Sequence, residues 1–226
     1  MKREKTSVSR EDYLKAIWEL IEEEQAPISA RLAEELGVTP PAVTAALKRM
    51  RRDGFLRLGR DGHIRLTTKG RRVAENLALR HQLAEKLLTE VIGLDWARAH
   101  EEAEKLEHGI SPEVQALLLK HFGAGGSCPH GVPLMGGIAK LRRKLGAVTL
   151  SEVLAGEKVE VLCVYEKDPQ FLQFVAGLKI RPGARVAVRH REYDETMTLG
   201  VNGRRIFLGK PATSRIWVRR LPAERA

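Results

Sequence analysis

The chain has 226 residues, of which 43% are apolar, and it carries a formal charge of +10 from 39 basic and 29 acidic residues. The absence of any run of about 18 apolar residues predicts no membrane span, and the charged N-terminus "MKREKTSVSRED" leads into no apolar signal segment. Cys128 and Cys163 form neither a CxxC clip nor a persuasive disulfide framework, so we expect a cytoplasmic protein of one large domain or two to three small ones.

The charge is unevenly distributed along the chain. Residues 39–72 hold ten Lys or Arg against two Asp, whereas residues 95–113 hold six acids against two basic residues. The first region suits a polyanion and the second suits cations.

The N-terminal residues predict three helices and a hairpin. A helical pattern begins after Ser9, a plausible N-cap, and a second short helix stops at Gly37. Thr39 is a good N-cap for the third helix and Pro40 suits its first turn. The third helix buries one apolar stripe, which consists of Val43, Leu47 and Met50. The alternating stretches "FLRL" and "HIRL" flank "GRDG" and predict a small wing, so the whole is a winged helix-turn-helix.

In this motif the third helix is expected in the major groove of double-stranded DNA. The residues expected to bind DNA are Thr39, Pro40, Pro41, Ala42 and Thr44 at its start, Lys48, Arg49, Arg51 and Arg52 at its basic end, and Arg60 in the wing. The hydroxyls and small apolar groups at the start would face base edges, and the basic residues would contact phosphates. The alternative is a basic helix that serves only solubility.

The acidic middle region contains "HEEAEKLEHGIS". On one helix, four side chains of this segment would share a stripe and could hold a divalent cation, namely His100, Glu104, Glu107 and His108. A solvated acidic face is the alternative. A long helix from Thr68 to Gly93 precedes this segment, and a further helix capped by Ser111 follows it. The Leu- and Ile-rich helical hairpin indicates a dimer interface, which suits palindromic DNA sites.

Catalysis is not expected. "HEEAE" is not HExxH, the pattern of the main enzymatic rival, a zinc hydrolase, and the chain has no nucleophile elbow or phosphate loop. "CPHG" offers Cys128 and His130, but its Pro and Gly favour a structural turn over a metal site.

The C-terminal third changes to short strands. "KVEVLCVY", "ARVAVRH", "TMTLGVNGRRIFLG" and "SRIWVRRL" alternate in the manner of strands, with Asn202-Gly203 as a hairpin turn and one short helix in residues 168–178. This pattern predicts a small β-barrel with one helix. Residues 179–220 hold eleven Lys or Arg against three acids, which we interpret as scattered surface charge, with an additional DNA contact as the alternative.

The segments "EDYLKAIWEL", "VTPPAVT", "LTTKGRRVAENLALRHQLAEKLL", "AEKLEHGIS" and "CPHG" resemble the metal-dependent repressors of the diphtheria toxin repressor and manganese transport regulator family. The resemblance covers nearly the whole chain. It implies a mainly α protein with a small β domain, built from a winged helix-turn-helix at 1–73, a helical dimerisation and metal-binding domain at 74–147, and an SH3-like (FeoA-type) domain at 148–226.

The resemblance also implies two metal sites. The primary site would use Asp12, Glu104, Glu107 and His108. The ancillary site would use His81, Glu85 and His100, with Glu166 and Gln170 added by the SH3-like domain.

Two positions inform the choice of metal. Iron-type members place Met and Cys where this chain has Asp12 and Glu104, and carboxylates suit a hard ion such as Mn²⁺ better than soft sulfur ligands do. Short manganese-type members carry Glu where this chain has Lys15, which argues against a binuclear site built as theirs.

The resulting expectation is a homodimeric, manganese-dependent repressor of metal homeostasis genes that binds a palindromic operator. Other divalent transition metals should bind in vitro. The alternatives are an iron-dependent repressor of the same family, with Fe²⁺ as co-repressor, and a winged-helix regulator that responds to a small organic effector.

Overall fold

In the computed structural model, which describes residues 10–134 and 136–222, the chain divides into two units between Arg80 and His81. Among the described helices, none combines the length and apolarity that crossing a membrane requires. The expected N-cap Ser9 lies outside the described residues.

The first unit contains the three expected helices and the wing. Its elements are α1 (Arg10–Glu22), α2 (Ser29–Glu35), α3 (Pro40–Arg52), β1 (Leu56–Leu58), β2 (Ile64–Leu66) and the first part of α4 (Thr68–Lys86). The predicted α3 is confirmed, with Pro40 in its first turn and extended backbone at Thr39, although the Thr39 side chain makes no capping hydrogen bond. The predicted winged helix-turn-helix is therefore present.

The helices of this unit pack on one apolar core. Leu14, Ile17, Leu32 and Val43 are fully buried in it, and α3 adds Leu47 and Met50 from the same face. This packing places the opposite face of α3 in solvent, because side chains three and four apart share one side of a helix.

The wing is a two-stranded antiparallel hairpin in which Leu56 pairs with Leu66 and Leu58 pairs with Ile64. Asp61 organises its turn, because its carboxylate accepts hydrogen bonds from the His63 amide at 3.1 Å and from the Arg65 guanidinium at 2.6 Å.

The second unit begins with the last turn of α4 and continues with short helical segments. These are a π-helical turn (Leu87–Val91), a 3₁₀ turn (Trp96–Arg98), α5 (Ala99–Leu106), a second 3₁₀ turn (Glu107–Gly109), α6 (Pro112–Phe122) and α7 (Ile138–Leu145). As expected, the Ser111 side chain caps α6 by accepting from the Val114 amide at 3.2 Å.

Two expectations about these helices need correction. The α-helix expected to run to Gly93 ends at Lys86 and gives way to the π-helical turn, where the chain leaves the regular 3.6-residue period. The expected stripe from His100 to His108 also splits, because the chain tightens to 3₁₀ geometry at Glu107. His100 and Glu107 are consequently buried, whereas Glu104 and His108 are exposed.

The rest of the second unit is the predicted β domain. It comprises β3 (Val148–Thr149), β4 (Lys158–Val164), α8 (Pro169–Gly177), β5 (Arg185–Arg191), β6 (Met197–Val201), β7 (Arg204–Leu208), α9 (Lys210–Thr213) and β8 (Ile216–Arg220). The described strands form one antiparallel sheet in the order β3-β8-β4-β5-β6-β7. Asn202 and Gly203 both have positive φ, as the tight β6–β7 turn requires. The sheet and α8 enclose a core that includes Val161, Leu172 and Leu199.

Candidate metal centre and DNA-reading surface

Ionisable side chains from four segments of the second unit meet in its interior. They form two overlapping sets whose potential ligand atoms lie within 4.8 Å of one another. The first set is His81, Glu85, His100 and Glu166, and the second is Glu85, Cys128, His130 and Glu166. The last turn of α4, the first turn of α5, the "CPHG" turn and the residues after β4 supply these side chains.

Glu85 lies at the centre of both sets. Its Oε1 is 3.2 Å from His81 Nε2, 3.3 Å from His100 Nδ1 and 3.2 Å from His130 Nδ1. The Glu85 side chain is 0% exposed, so these imidazoles replace the water that would otherwise solvate the carboxylate.

The orientation of His81 is fixed by Glu107. His81 Nδ1 lies 2.6 Å from Glu107 Oε2, and because a carboxylate only accepts, the proton of this hydrogen bond belongs to Nδ1. In the neutral imidazole, Nε2 then carries the lone pair, and this atom is 3.0 Å from His100 Nδ1. This arrangement directs His81 Nε2 and His100 Nδ1 toward Glu85. His81 thereby resembles a histidine metal ligand, in which one ring nitrogen faces the metal and the other donates to a carboxylate.

His130 is held by the main chain on both sides. Its Nε2 donates to the Trp96 carbonyl at 3.0 Å, and its own carbonyl accepts from the Val164 amide at 3.0 Å. The hydrogen bond at Nε2 fixes the orientation of the ring. Nδ1, on the other side of the ring, therefore faces the Glu85 and Glu166 carboxylates at 3.2 and 3.5 Å.

Two buried atoms of this cluster have no hydrogen-bond partner among residues 10–134 and 136–222, namely His130 Nδ1 and Glu85 Oε2. A lone pair that faces two carboxylates is unfavourable unless a proton or a metal cation lies between them. The residues present therefore fit a divalent cation, since they offer imidazole nitrogens and carboxylate oxygens around unsatisfied atoms.

The "CPHG" turn approaches the sheet closely. Gly131 has φ +97°, and a Cβ added there would lie 2.0 Å from the Leu162 carbonyl oxygen. Trp96 Nε1 also donates to the Pro129 carbonyl at 2.9 Å. Only glycine permits this contact, which positions Cys128 and His130 beside Glu85.

Charged neighbours within the cluster shift the pKa values of Glu85 and His130 in the direction opposite to burial. Burial alone raises the pKa of Glu85, but His130, His81 and His100 hold this pKa well below its ordinary range. Burial alone lowers the pKa of His130, but Glu85 and Glu166 raise it to about 10. Burial, Glu85 and Glu166 all raise the pKa of the Cys128 thiol well above its ordinary range, so the thiol stays protonated and donates to Glu166 Oε2 at 3.4 Å.

The residues expected at the primary site have different surroundings. Glu107 is buried and lies 3.8 Å from His108 Nε2, whose side chain is 39% exposed. The Glu104 side chain is 58% exposed and lies 3.7 Å from His100 Nε2. Asp12 belongs to α1 in the first unit. The primary site stays a prediction.

The two ligands expected from the SH3-like domain also differ. Glu166 Oε1 lies 3.9 Å from His100 Nδ1, within the cluster. Gln170 is exposed in the first turn of α8, and its role stays a prediction.

The surface expected to read DNA lies on the first unit. All residues expected to bind DNA are exposed, namely Thr39, Pro40, Pro41, Ala42, Thr44, Lys48, Arg49, Arg51, Arg52 and Arg60. The Thr44 hydroxyl donates to the Pro40 carbonyl at 3.1 Å, so its oxygen can still accept a hydrogen bond.

Comparison with known proteins identifies the family. The family model "Iron dependent repressor, N-terminal DNA binding domain" matches residues 5–64, "Iron dependent repressor, metal binding and dimerisation domain" matches residues 67–136, and "FeoA domain" matches residues 148–220. The chain is 36% identical to the iron-dependent repressor IdeR of Mycobacterium leprae over 189 residues, which cover 79% of this chain and 82% of that relative. The chain belongs to the iron-dependent repressor family.

Two further relatives show the range of the family. The diphtheria toxin repressor of Corynebacterium diphtheriae is 33% identical over 208 residues, 88% of this chain and 91% of its own length. A solved manganese-dependent transcriptional repressor in complex with manganese is 29% identical, with a TM-score of 0.81 over 94% of this chain and 100% of that chain.

Membership confirms the main expectations from the sequence. The chain is a metal-dependent DNA-binding repressor with a DNA-binding domain, a dimerisation domain and an SH3-like C-terminal domain, and it is not an enzyme. Relatives of both metal types occur, so membership alone leaves the metal to be proposed.

Sequence reasoning missed two members of the cluster. The "CPHG" pattern favours a structural turn over a metal site, whereas the structure places Cys128 and His130 against Glu85 and Glu166. The turn exists, because the Gly131 amide donates to the Cys128 carbonyl at 2.9 Å. The useful signal was a Cys and a His two residues apart, a spacing that allows both side chains of a turn to reach one ion.

Proposed function

We propose that this chain is a manganese-dependent transcriptional repressor of metal homeostasis genes, with Mn²⁺ as its co-repressor. The observation that carries metal activation is the buried cluster around Glu85, in which His130 Nδ1 and Glu85 Oε2 have no hydrogen-bond partner among the described residues. Against the effect of burial, the Glu85 and Glu166 carboxylates raise the pKa of His130 to about 10, so in the metal-free chain a proton on its imidazole lies beside them. A bound divalent cation would replace that proton as the positive charge between them.

The preference for manganese rests on ligand chemistry at the predicted primary site. Asp12 and Glu104 occupy the positions where iron-type members of the resembled family have Met and Cys. Mn²⁺ binds most weakly in the divalent series, so a site for it selects by ligand type and geometry, and carboxylates with imidazole suit that requirement.

Regulation follows from the location of the ligands. Asp12 is part of the helix that precedes the DNA-reading elements, while Glu104, Glu107 and His108 are part of the helical region described by its family model as metal-binding and dimerising. Ligands from both would favour one arrangement of the two, and coupling of about 1–3 kcal/mol would change DNA affinity about 5- to 150-fold.

A symmetric dimer would present two copies of α3 to a palindromic operator. Apolar side chains of the second unit remain exposed in the single chain, and they are suitable for this dimer surface. Those in the helical part of this unit include Val91, Ile92, Val114 and Leu117.

An iron-dependent repressor is the second candidate. Cys128 lies in the second ligand set, and a thiolate is a softer ligand than those that Mn²⁺ prefers. The relative from Mycobacterium leprae is described as iron-dependent. This combination favours Fe²⁺ if the second set, rather than the predicted primary site, determines the response.

The test is a fluorescence-anisotropy titration of labelled DNA from the region upstream of the gene, at one fixed salt concentration. Binding is measured with chelator, Mn²⁺, anaerobic Fe²⁺ and Zn²⁺. We expect the largest gain in affinity with Mn²⁺. A larger gain with Fe²⁺ establishes the iron alternative, and equal affinity with and without chelator contradicts metal activation and supports an organic effector.

Two variants sharpen this test. His108→Ala should abolish metal-stimulated DNA binding and leave the fold intact, because the exposed imidazole contributes little to packing. The double variant Asp12→Met with Glu104→Cys should shift the preference from Mn²⁺ toward Fe²⁺, because it introduces soft ligands. Unchanged stimulation in His108→Ala would remove His108 from the proposed ligands.

A further inference from the structure

The basic residues of the SH3-like domain fall into two groups. In the first group, acids neutralise the cations: Arg215 pairs with Asp168 at 2.9 Å, and Arg219 pairs with Glu160 at 2.9 Å. Arg220, Arg191 and Lys210 are paired in the same way with Glu157 and Glu195. The charge excess of residues 179–220 therefore resides in fewer side chains than the sequence suggests.

The second group consists of cations without an acidic partner in the described part of the chain, namely Lys179, Arg181, Arg185, Arg189, Arg204 and Arg205. Within it, strand register brings Arg189 and Arg205 together. Neither has a carboxylate within 4.0 Å among the residues that the structure describes, and both are exposed. A guanidinium without an acidic partner is available to an external anion.

The sheet brings these two side chains to one face. Arg205 on β7 pairs with Gly200 on β6, and Gly200 pairs with Ala187 on β5. The β5–β6 register shifts between Val188 and His190, which leaves Arg189 as an extra residue in a bulge.

Gly200 allows Arg189 to lie flat on the sheet. A Cβ at Gly200 would lie 3.0 Å from Arg189 Nε and 3.3 Å from its Nη2, so the guanidinium covers the glycine, next to the strand position of Arg205. Two unpaired guanidiniums thus occupy neighbouring positions on the outer face of β5, β6 and β7.

An aromatic ring completes this face. Phe207 lies two residues after Arg205 on the same side of β7, and it is 64% exposed. Glu195, two residues before β6, is already paired with Arg191 and Lys210, and Glu192 lies 3.6 Å from His190. Two free cations beside an apolar ring match the phosphates and sugars of a nucleic-acid backbone.

We propose that the face formed by Arg189, Arg205 and Phe207 is a second, sequence-independent contact with the phosphate backbone of double-stranded DNA. The first unit matches the DNA-binding domain of this family, so DNA is a polyanion that the protein binds, and the two guanidiniums of this face have the charge to contact its phosphates. The inference rests on the proposed function and adds a second role to it, namely DNA contact by the SH3-like domain. This role does not depend on a metal ligand from that domain.

The experiment compares full-length Arg189→Gln/Arg205→Gln with a control of equal charge change, Arg215→Gln/Arg219→Gln. The control removes guanidiniums that Asp168 and Glu160 already neutralise. DNA affinity is measured by anisotropy against salt concentration in saturating Mn²⁺, on the upstream fragment and on an unrelated duplex of equal length.

We expect the magnitude of the slope of log affinity against log salt to fall by about 1.8 per subunit in the test variant, since each phosphate contact contributes about −0.9. The loss of affinity should be equal on both duplexes, and the control should keep the parental slope. Equal slopes in the test variant and the control would overturn the proposal, and so would a loss confined to the upstream fragment.

The metal response separates this inference from the proposed function. If chelator leaves DNA binding unchanged while the slope still falls in the test variant, metal activation fails and the second contact stands. If Mn²⁺ stimulates both variants normally and the slopes are equal, the proposed function stands and the second contact fails. Thermal unfolding of both variants verifies the fold.

Discussion

The two units place their polar residues in opposite ways. In the first unit, α3 buries its apolar face and exposes every residue expected to bind DNA. In the second unit, Glu85 and His130 are fully buried among other ionisable groups. A DNA-reading surface requires exposed groups on a conventional core, whereas a metal centre requires donors removed from water. The second unit therefore carries a cost of polar burial that the first does not.

The turn that holds His130 should be the position most sensitive to a single methyl group. Gly131→Ala adds backbone strain of about 1–3 kcal/mol and overpacking of about 1–3 kcal/mol, because the new Cβ meets the Leu162 carbonyl. Gly123→Ala is the control, since Gly123 also has positive φ but has nothing within 4 Å of its Cβ position. Urea unfolding of metal-free protein measures the difference, and equal losses would contradict close packing at the turn.

The apolar core of the first unit should respond as an ordinary core does. Leu32→Ala removes a fully buried side chain, and we expect a loss of about 2–5 kcal/mol in the free energy of unfolding. Leu58→Ala, at an exposed position of the wing, should change stability far less. The same urea experiment applies, and a small effect at Leu32 would show that the core of this unit repacks easily.

Bound metal should stabilise the second unit, and His130 should be one of its ligands. At free Mn²⁺ of 100 times its dissociation constant, we expect about 2.7 kcal/mol of stabilisation, measured by calorimetry. His130→Ala should lose most of this gain, because it removes a buried nitrogen donor, whereas His121→Ala at the exposed end of α6 should keep it. A full gain in His130→Ala would mean that the second ligand set holds no metal.

The smallest expected effect lies in the wing. Arg60 is exposed, and Arg60→Gln should reduce the magnitude of the slope of log DNA affinity against log salt by about 0.9 per subunit. Arg65→Gln is the matched control, because Asp61 already neutralises Arg65 at 2.6 Å. If both variants change the slope equally, ion pairing in the wing does not decide which arginines reach phosphate.

The winged helix-turn-helix, the strands of the β domain and the exposed face of α3 could all be predicted from the amino-acid sequence. These features depend on local periodicity, on Pro40 at a helix start and on Asn202-Gly203 at a hairpin, all of which act within a few residues. The sequence also placed His81, Glu85, His100 and Glu166 together, through family resemblance.

The remaining features depend on contacts between segments that are distant in the sequence. The change to 3₁₀ geometry at Glu107 separates side chains that an ideal helix would align, and it directs Glu107 to His81. His130 joined the cluster because a glycine allows its turn to contact β4, a contact between residues about 30 positions apart. Arg189 and Arg205 became one face through strand register. Sequence periodicity describes each segment alone. The positions of these side chains could not be predicted from it, because they depend on packing between segments.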